Sequence, residues 1–223
     1  MPKLRKVYLC SACGDDFPKW NGQCPSCKEW GTLSEYTTSK NTKNREIRDS
    51  YALRDILNST PAKRMSTSLD EVNRVLGGGL LPGSLILLGG SPGVGKSTLS
   101  LHICSGLNQK VLYFSAEESE EQVAIRARRL KVKTENLFLS GESELNGIIT
   151  HIDRMEPKFI IVDSIQTIFN SELDSLPGSP SQIKDCGQKF LEVAKSKNTT
   201  VLIVGHVTKE GTIAGPKMLE HLV

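Results

Sequence analysis

Long apolar runs are missing from this chain of 223 residues: no stretch approaches the ~20 consecutive apolar residues that a bilayer-spanning helix needs. A leader of the secretory kind is missing too, since Met1 to Leu9 carries Lys3, Arg5 and Lys6 and no apolar block. A strong charge imbalance is also absent. Lys and Arg number 28 against 25 Asp and Glu, and a net charge of +3 does not by itself point to a nucleic-acid partner. These absences predict a cytoplasmic protein with no membrane partner, in which any contact with a polyanion depends on where the basic residues sit. A hydrophobic content of 38% in 223 residues suits one substantial α/β core plus a small accessory module.

What is present centres on residues 84–98, SLILLGGSPGVGKST. Ser84 to Gly89 is a short apolar run of the kind that forms a buried parallel strand, and the glycines after it break the strand into a tight loop. Gly90, then Ser91, Pro92, Gly93 and Val94, then Gly95, Lys96 and Ser97 match the spacing G-x-x-x-x-G-K-[ST]. Glycines at 90, 93 and 95 let the backbone curl around an anion with its N–H groups turned inward, at the positive end of a helix starting near Lys96. In that arrangement Lys96 reaches the β- and γ-phosphates of ATP and the Ser97 hydroxyl binds Mg²⁺, with Thr98 following in the helix.

Four of the six cysteines come as Cys10-x-x-Cys13 and Cys24-x-x-Cys27. Each pair presents two thiols on one turn, and the two turns together read as a four-thiolate Zn²⁺ site, because a module this short has too little core to fold without a staple. Iron fits the same cage, and a pair of disulfides is the alternative in an oxidising compartment. Gly14 and Pro25 suit the two turns. Trp20 and Trp30 are expected to pack around them, since a small metal module needs its apolar side chains. From about Ser34 to Arg48 the composition turns polar, with Lys40, Lys43, Arg45 and Arg48, and reads as a tether. Tyr51 to Asn58 fits a short helix ended by Pro61. The division expected is a metal module at 1–34, a linker with a short helix at 35–65 and an ATPase core at 66–223.

Within the core, Ser68-x-x-Glu71 reads as a capping box, with Leu69, Val72, Val75 and Leu76 as the apolar face of a helix ending at Gly77. After the phosphate loop, Thr98 to Leu107 continues as a helix with Leu99, Ile103 and Leu107 toward the sheet. Cys104 and Cys186 read as small buried hydrophobes. Lys110 to Ser115 is a second buried strand, and Glu117 or Glu118 at its carboxyl end is placed to polarise the water that attacks the γ-phosphate; helix capping explains the same acids. Phe159 to Asp163 is an apolar run closing on an acid, the Walker B pattern, in which Asp163 holds Mg²⁺. Thr200 to Gly205 is the next strand, and His206 falls at the same edge, in place to sense the γ-phosphate. Alternating strands and helices predict a parallel sheet covered on both faces. The polar segments 170–181 and 208–217 follow two strand ends and read as functional loops.

The chain resembles the bacterial RadA (Sms) family of DNA-repair proteins, which are RecA-superfamily ATPases. The four-cysteine knuckle carries the likeness together with RVLGGGLLPGS at 74–84, GGSPGVGKST at 89–98, YFSAEES at 113–119 and VDSIQT at 162–167. ELDSLPGSPSQ at 172–182 and GHVTKEGTIAGPKMLEHLV at 205–223 complete it. The resemblance implies a RecA-like P-loop fold and an ATP-driven homo-hexameric motor. Such a motor moves along single-stranded DNA and drives branch migration on branched DNA, alongside a RecA-type recombinase. It implies phosphate and Mg²⁺ roles for Lys96 and Ser97, water activation by Glu117, the Walker B role for Asp163 and γ-phosphate sensing by His206. Loops 170–181 and 208–217 fall at the DNA-binding loops, with Lys209 and Lys217 as phosphate contacts. Members of the family continue with further core strands, a Lys-Asn-Arg-Phe-Gly motif and a Lon-like domain, so a chain stopping at Val223 reads as truncated. Two other readings compete: a RecA-like ATPase acting on a protein partner, and a chain that binds nucleotide or DNA without turnover.

Overall fold

Two sheets account for nearly all the strands of this computed structural model, which describes residues 4–10, 12–39, 50–58, 62–133, 135–206 and 219. The first sheet is antiparallel, with β1 (Leu4–Cys10) between β2 (Asp16–Phe17) and β3 (Leu33–Ser39). β1 and β3 pair from Leu4 opposite Ser39 to Cys10 opposite Leu33, and the two cysteine turns fill the connections at one end. Its buried core is Cys10, Cys24 and Leu33, with Tyr8, Cys13, Phe17 and Cys27 packed against them. That is far less than an independent domain needs, and its two most deeply buried side chains, Cys10 and Cys24, are thiols.

The expectation that Trp20 and Trp30 pack around the turns is not met. Trp20 is 60% and Trp30 74% exposed, because the thiols and Leu33 already fill the space between the turns. The polar stretch from Ser34 begins as strand, with β3 running on to Ser39. Lys40, Lys43, Arg45, Arg48 and Pro61 lie outside the described residues.

The second sheet is parallel throughout, with strands β4 (Leu85–Gly90), β5 (Val111–Ser115), β6 (Leu137–Ser140), β7 (Phe159–Asp163) and β8 (Thr200–His206) in the order β4-β8-β7-β5-β6. Successive residues of a strand point to opposite faces. Leu112, Phe114, Ile160, Val162, Val201 and Ile203 therefore bury against α5 (Leu145–Met155) and α6 (Pro180–Lys197), through Ile148, Ile152, Ile183, Phe190 and Ala194. The alternate residues Val111, Tyr113, Phe159, Ile161 and Leu202 bury against α3 (Lys96–Ser105) and α4 (Glu120–Arg129), through Leu101, Cys104, Val123 and Ala127. The sheet is covered on both faces, as its strand pattern predicts. Cys104 and Cys186 are buried, the first at 3% and the second at 0% exposure, and burial pushes both thiols up, Cys186 to about 12.

Two short helices precede this sheet, α1 (Leu53–Leu57) and α2 (Asp70–Val75). The capping box expected at Ser68 does not form. The N-cap of α2 is Leu69 with no side-chain cap, and Ser68 Oγ instead donates to the carbonyl of His102 at 3.4 Å. A closer competitor wins locally, since Thr67 Oγ1 accepts from Leu69 N at 3.2 Å and the Asn73 side chain bonds Thr67 on both sides. Val75 is 76% exposed and does not share the buried face of Leu69, Val72 and Leu76. The box instead forms on α4, where Ser119 and Gln122 cap each other.

Candidate nucleotide site and metal knuckle

β4 delivers the chain to the carboxyl edge of the sheet, where parallel α/β sheets bind ligands. Gly90 closes the strand. A Cβ there would stand 2.9 Å from Val94 Cγ1 and 3.4 Å from Lys96 Cδ, so a side chain at this position would push on both the loop valine and the lysine stem. Gly93 and Gly95 have φ of 78° and 101°, left-handed values that side chains resist, and Gly95 is the N-cap of α3. The loop from Ser91 to Gly95 is exposed, Lys96 is buried, and Ser97 and Thr98 are half-buried in the first turn of α3.

Lys96 Nζ donates to the carbonyls of Gly90 and Ser91 at 2.8 and 3.0 Å and lies 3.1 Å from His206 Nδ1. His206 is there because β4 and β8 pair in a register that sets it opposite Gly90. Its other nitrogen, Nε2, is 3.0 Å from Glu117 Oε1, and the same carboxylate oxygen accepts from Ser164 Oγ. An ammonium only donates and a carboxylate only accepts, so the imidazole form that satisfies both neighbours has Nδ1 accepting from Lys96 and Nε2–H donating to Glu117. One hydrogen-bonded line thus joins the phosphate loop, β8, the second residue after β5 and the residue after β7. Glu118 turns the other way and pairs with Arg126 on α4. Of the two acids, Glu117 is the one facing the phosphate loop.

Asp163 ends β7 and is 7% exposed. Its Oδ2 accepts a 2.5 Å hydrogen bond from the Tyr113 hydroxyl, reaching across from the adjacent β5. Burial, together with the Asp163 charge, pushes the Tyr113 phenol far above its ordinary range, so it is a donor at any working pH. Neither Tyr113 nor Ser164 stands out in the sequence. The only signal is a phenol inside an otherwise apolar strand run, which when buried requires a partner.

The loop after β7 is held down. Asn170 exchanges hydrogen bonds with Gln182, whose Nε2 also donates to the Ser175 carbonyl at 2.9 Å. Pro180 and Ser181, expected in this loop, are instead the first residues of α6, with Pro at the position where its missing N–H costs nothing. Residues 170–179 carry Glu172 and Asp174 and no basic side chain. Residues 208–217, with Lys209 and Lys217, lie outside the described residues.

In the amino-terminal module the ligand atoms of Cys10, Cys13, Cys24 and Cys27 all lie within 4.8 Å of one another, with Cys10 Sγ to Cys27 Sγ and Cys13 Sγ to Cys24 Sγ both 3.6 Å. Four thiolates on a tetrahedron at ~2.3 Å from zinc are about 3.8 Å apart, close to the two 3.6 Å separations, so the four sulfurs suit a Zn²⁺ ion. Each turn is built the same way. Gly14 N donates to the Cys10 carbonyl at 2.9 Å and Lys28 N to that of Cys24 at 3.0 Å, with φ of 79° at Gly14 and 65° at Lys28. Burial opposes ionisation of Cys10, but hydrogen bonds from Thr32 and the backbone around Cys13 outweigh it and bring the thiol down to about 6. Burial pushes Cys13 up.

Residues 50–212 match the model of an AAA domain, and residues 8–35 match that of a rubredoxin metal binding domain. Over its whole length the chain is 43% identical to the DNA repair protein RadA of Bacillus subtilis (strain 168), covering 51% of that protein. It is 44% identical to DNA repair protein RadA of Listeria monocytogenes and 42% identical to that of Streptococcus pyogenes serotype M1, again over 51% of each. The chain spans about half the length of the curated relatives it matches. No helix among the described residues is long and apolar enough to cross a membrane.

Proposed function

The chain belongs to the AAA domain family, and from that membership we propose that it is the ATP-hydrolysing part of a DNA-repair ATPase that drives branch migration on single-stranded and branched DNA. The observation that carries the ATPase reading is the line Lys96–His206–Glu117–Ser164, which ties a phosphate-binding lysine to a carboxylate at the edge where the γ-phosphate would lie. The relatives' shared name supports the DNA-repair setting. A homo-hexamer at full length and a RecA-type recombinase as partner belong to the same proposal.

The residues divide the work as follows. Loop N–H groups and Lys96 hold the β- and γ-phosphates and neutralise charge that grows as the γ-phosphoryl group leaves. Glu117, oriented by the Ser164 hydroxyl, accepts the proton of the attacking water. His206 contacts both Lys96 and Glu117, so any shift of either on hydrolysis reaches the end of β8. Mg²⁺, held by Ser97 and Asp163, supplies charge neutralisation between the phosphates when bound. Zn²⁺ in the cysteine cage is structural, since all four of its positions are taken by protein. Lys209 and Lys217 contact the DNA backbone.

ATP hydrolysis measured with and without single-stranded DNA tests the proposal. Turnover that rises with DNA and vanishes in Lys96→Ala supports it, and Mg²⁺-dependent turnover indifferent to DNA would point to a protein substrate. Replacing Lys209 or Lys217 with Ala should weaken DNA binding equally across sequences and reduce the log–log salt slope by roughly 0.7 per contact.

A further inference from the structure

The only two tryptophans of the chain, Trp20 and Trp30, are both largely exposed on the metal module. They sit together. A Cβ on Gly22 would stand 3.4 Å from Trp30 Cζ3 and 3.8 Å from Trp20 Cη2, so both indoles border the same bare stretch of backbone. That backbone is fixed by an antiparallel bridge between Gln23 and Trp30, by Gly31 N donating to the Gly22 carbonyl at 2.9 Å, and by Gln23 Nε2 donating to the Lys28 carbonyl at 2.8 Å. The second cysteine turn closes the same hairpin. Exposed Lys19 and Lys28 accompany the rings, against exposed Glu29, while Asp16 is engaged with Lys184 of α6 at 3.0 Å.

We propose that Trp20 and Trp30 form a stacking platform for the bases of single-stranded nucleic acid, with Lys19 and Lys28 contacting its phosphates. The inference rests on the proposed action on single-stranded DNA and gives the metal module a part in it. Large flat rings with only two side-chain torsions, on a hairpin backbone already pinned by hydrogen bonds, cost little further ordering when a base stacks on them, and stacking tolerates any sequence because every base has a π-face. The lysines match the charge of the backbone between stacked bases. A duplex hides those faces, so the platform discriminates strandedness without reading sequence.

Because both tryptophans belong to the platform, the emission of the intact, metal-loaded chain reports on it directly. Titration with a mixed-sequence single-stranded oligonucleotide should quench that emission, and a duplex of the same sequence should quench it far less. Trp20→Ala and Trp30→Ala should each weaken binding about 5- to 100-fold while leaving the salt slope unchanged, with Phe at either position restoring most of the affinity. Lys19→Ala and Lys28→Ala should instead lower the slope by roughly 0.7 each. Unchanged emission at saturating oligonucleotide, with ATP hydrolysis still stimulated by it, would overturn the platform, leave the proposed function standing and give this face to a protein contact. No binding and no stimulation would remove both. Equal quenching by duplex and single strand would also overturn the stacking role.

Discussion

Lys96 and His206 are 110 residues apart in sequence, yet their side chains are 3.1 Å apart, and the register of β4 on β8 is what brings them there. The places of Lys96 and Asp163 in the fold could be read from spacing alone, because a phosphate loop sets its lysine at a fixed offset and a strand-end acid announces itself after an apolar run. Ser164 and Tyr113 could not, since a hydroxyl leaves no periodic trace and its meaning depends on the strand beside it. Glu117→Gln should keep nucleotide binding and the fold but lower the hydrolysis rate about 10²–10⁴-fold, the span expected for loss of a general base; single-turnover hydrolysis beside nucleotide affinity measures the two separately. Tyr113→Phe removes the donor that holds Asp163 Oδ2, so the Mg²⁺ concentration for half-maximal hydrolysis should rise several-fold while affinity for metal-free ATP stays put. A Mg²⁺ titration of the variant checks this. Gly90→Ala should act mainly through Lys96, because its Cβ would stand 3.4 Å from Lys96 Cδ while the exposed Val94 can turn aside; nucleotide affinity should fall with little loss of overall stability.

Among the elements, the strands buried on both faces were the most legible: β5, β7 and β8 are nearly continuous apolar runs and appear almost where the runs do. β6 was not legible. It is a four-residue edge strand with Phe138 41% exposed, too short and too wet to stand out from its surroundings. The capping box at Ser68 misled because two residues of the same chemistry, Thr67 and Asn73, claim the backbone first. The cysteine turns were legible in spacing, but the exposure of their tryptophans was not, since four thiols, Leu33, Tyr8 and Phe17 fill a core that a sequence-based count would have given to the indoles. Chelation of the metal should unfold the module while the core keeps its nucleotide affinity, and Cys24→Ser should do the same; circular dichroism beside nucleotide titration separates the two units. Phe190→Ala, at the centre of the α6 face with 0% exposure, should cost the core about 3–5 kcal/mol in a denaturant titration.

At the scale of the whole molecule, an ion pair between Asp16 of the module and Lys184 of α6 lies beside a cavity bordered by Val7 and Leu9, and 27% of the Lys184 side chain and 50% of Asp16 are exposed. Such a pair contributes no more than about 1 kcal/mol, so Lys184→Ala should leave the unfolding of the core unchanged within that margin. The central strands are sealed, but β4, from which the phosphate loop hangs, lies at the border of the sheet with β8 as its sole partner among the described strands, and only Leu85 of its six residues is fully buried. A parallel border strand turns alternate amides outward, away from its neighbour. Deuterium should therefore enter β4 in a two-residue rhythm, every second amide exchanging early, while β7 and β5 remain protonated along their whole length. Nucleotide seated on the loop would slow that rhythm, which makes the isotope content of six backbone amides a clock for occupancy of the site that needs no catalysis to read.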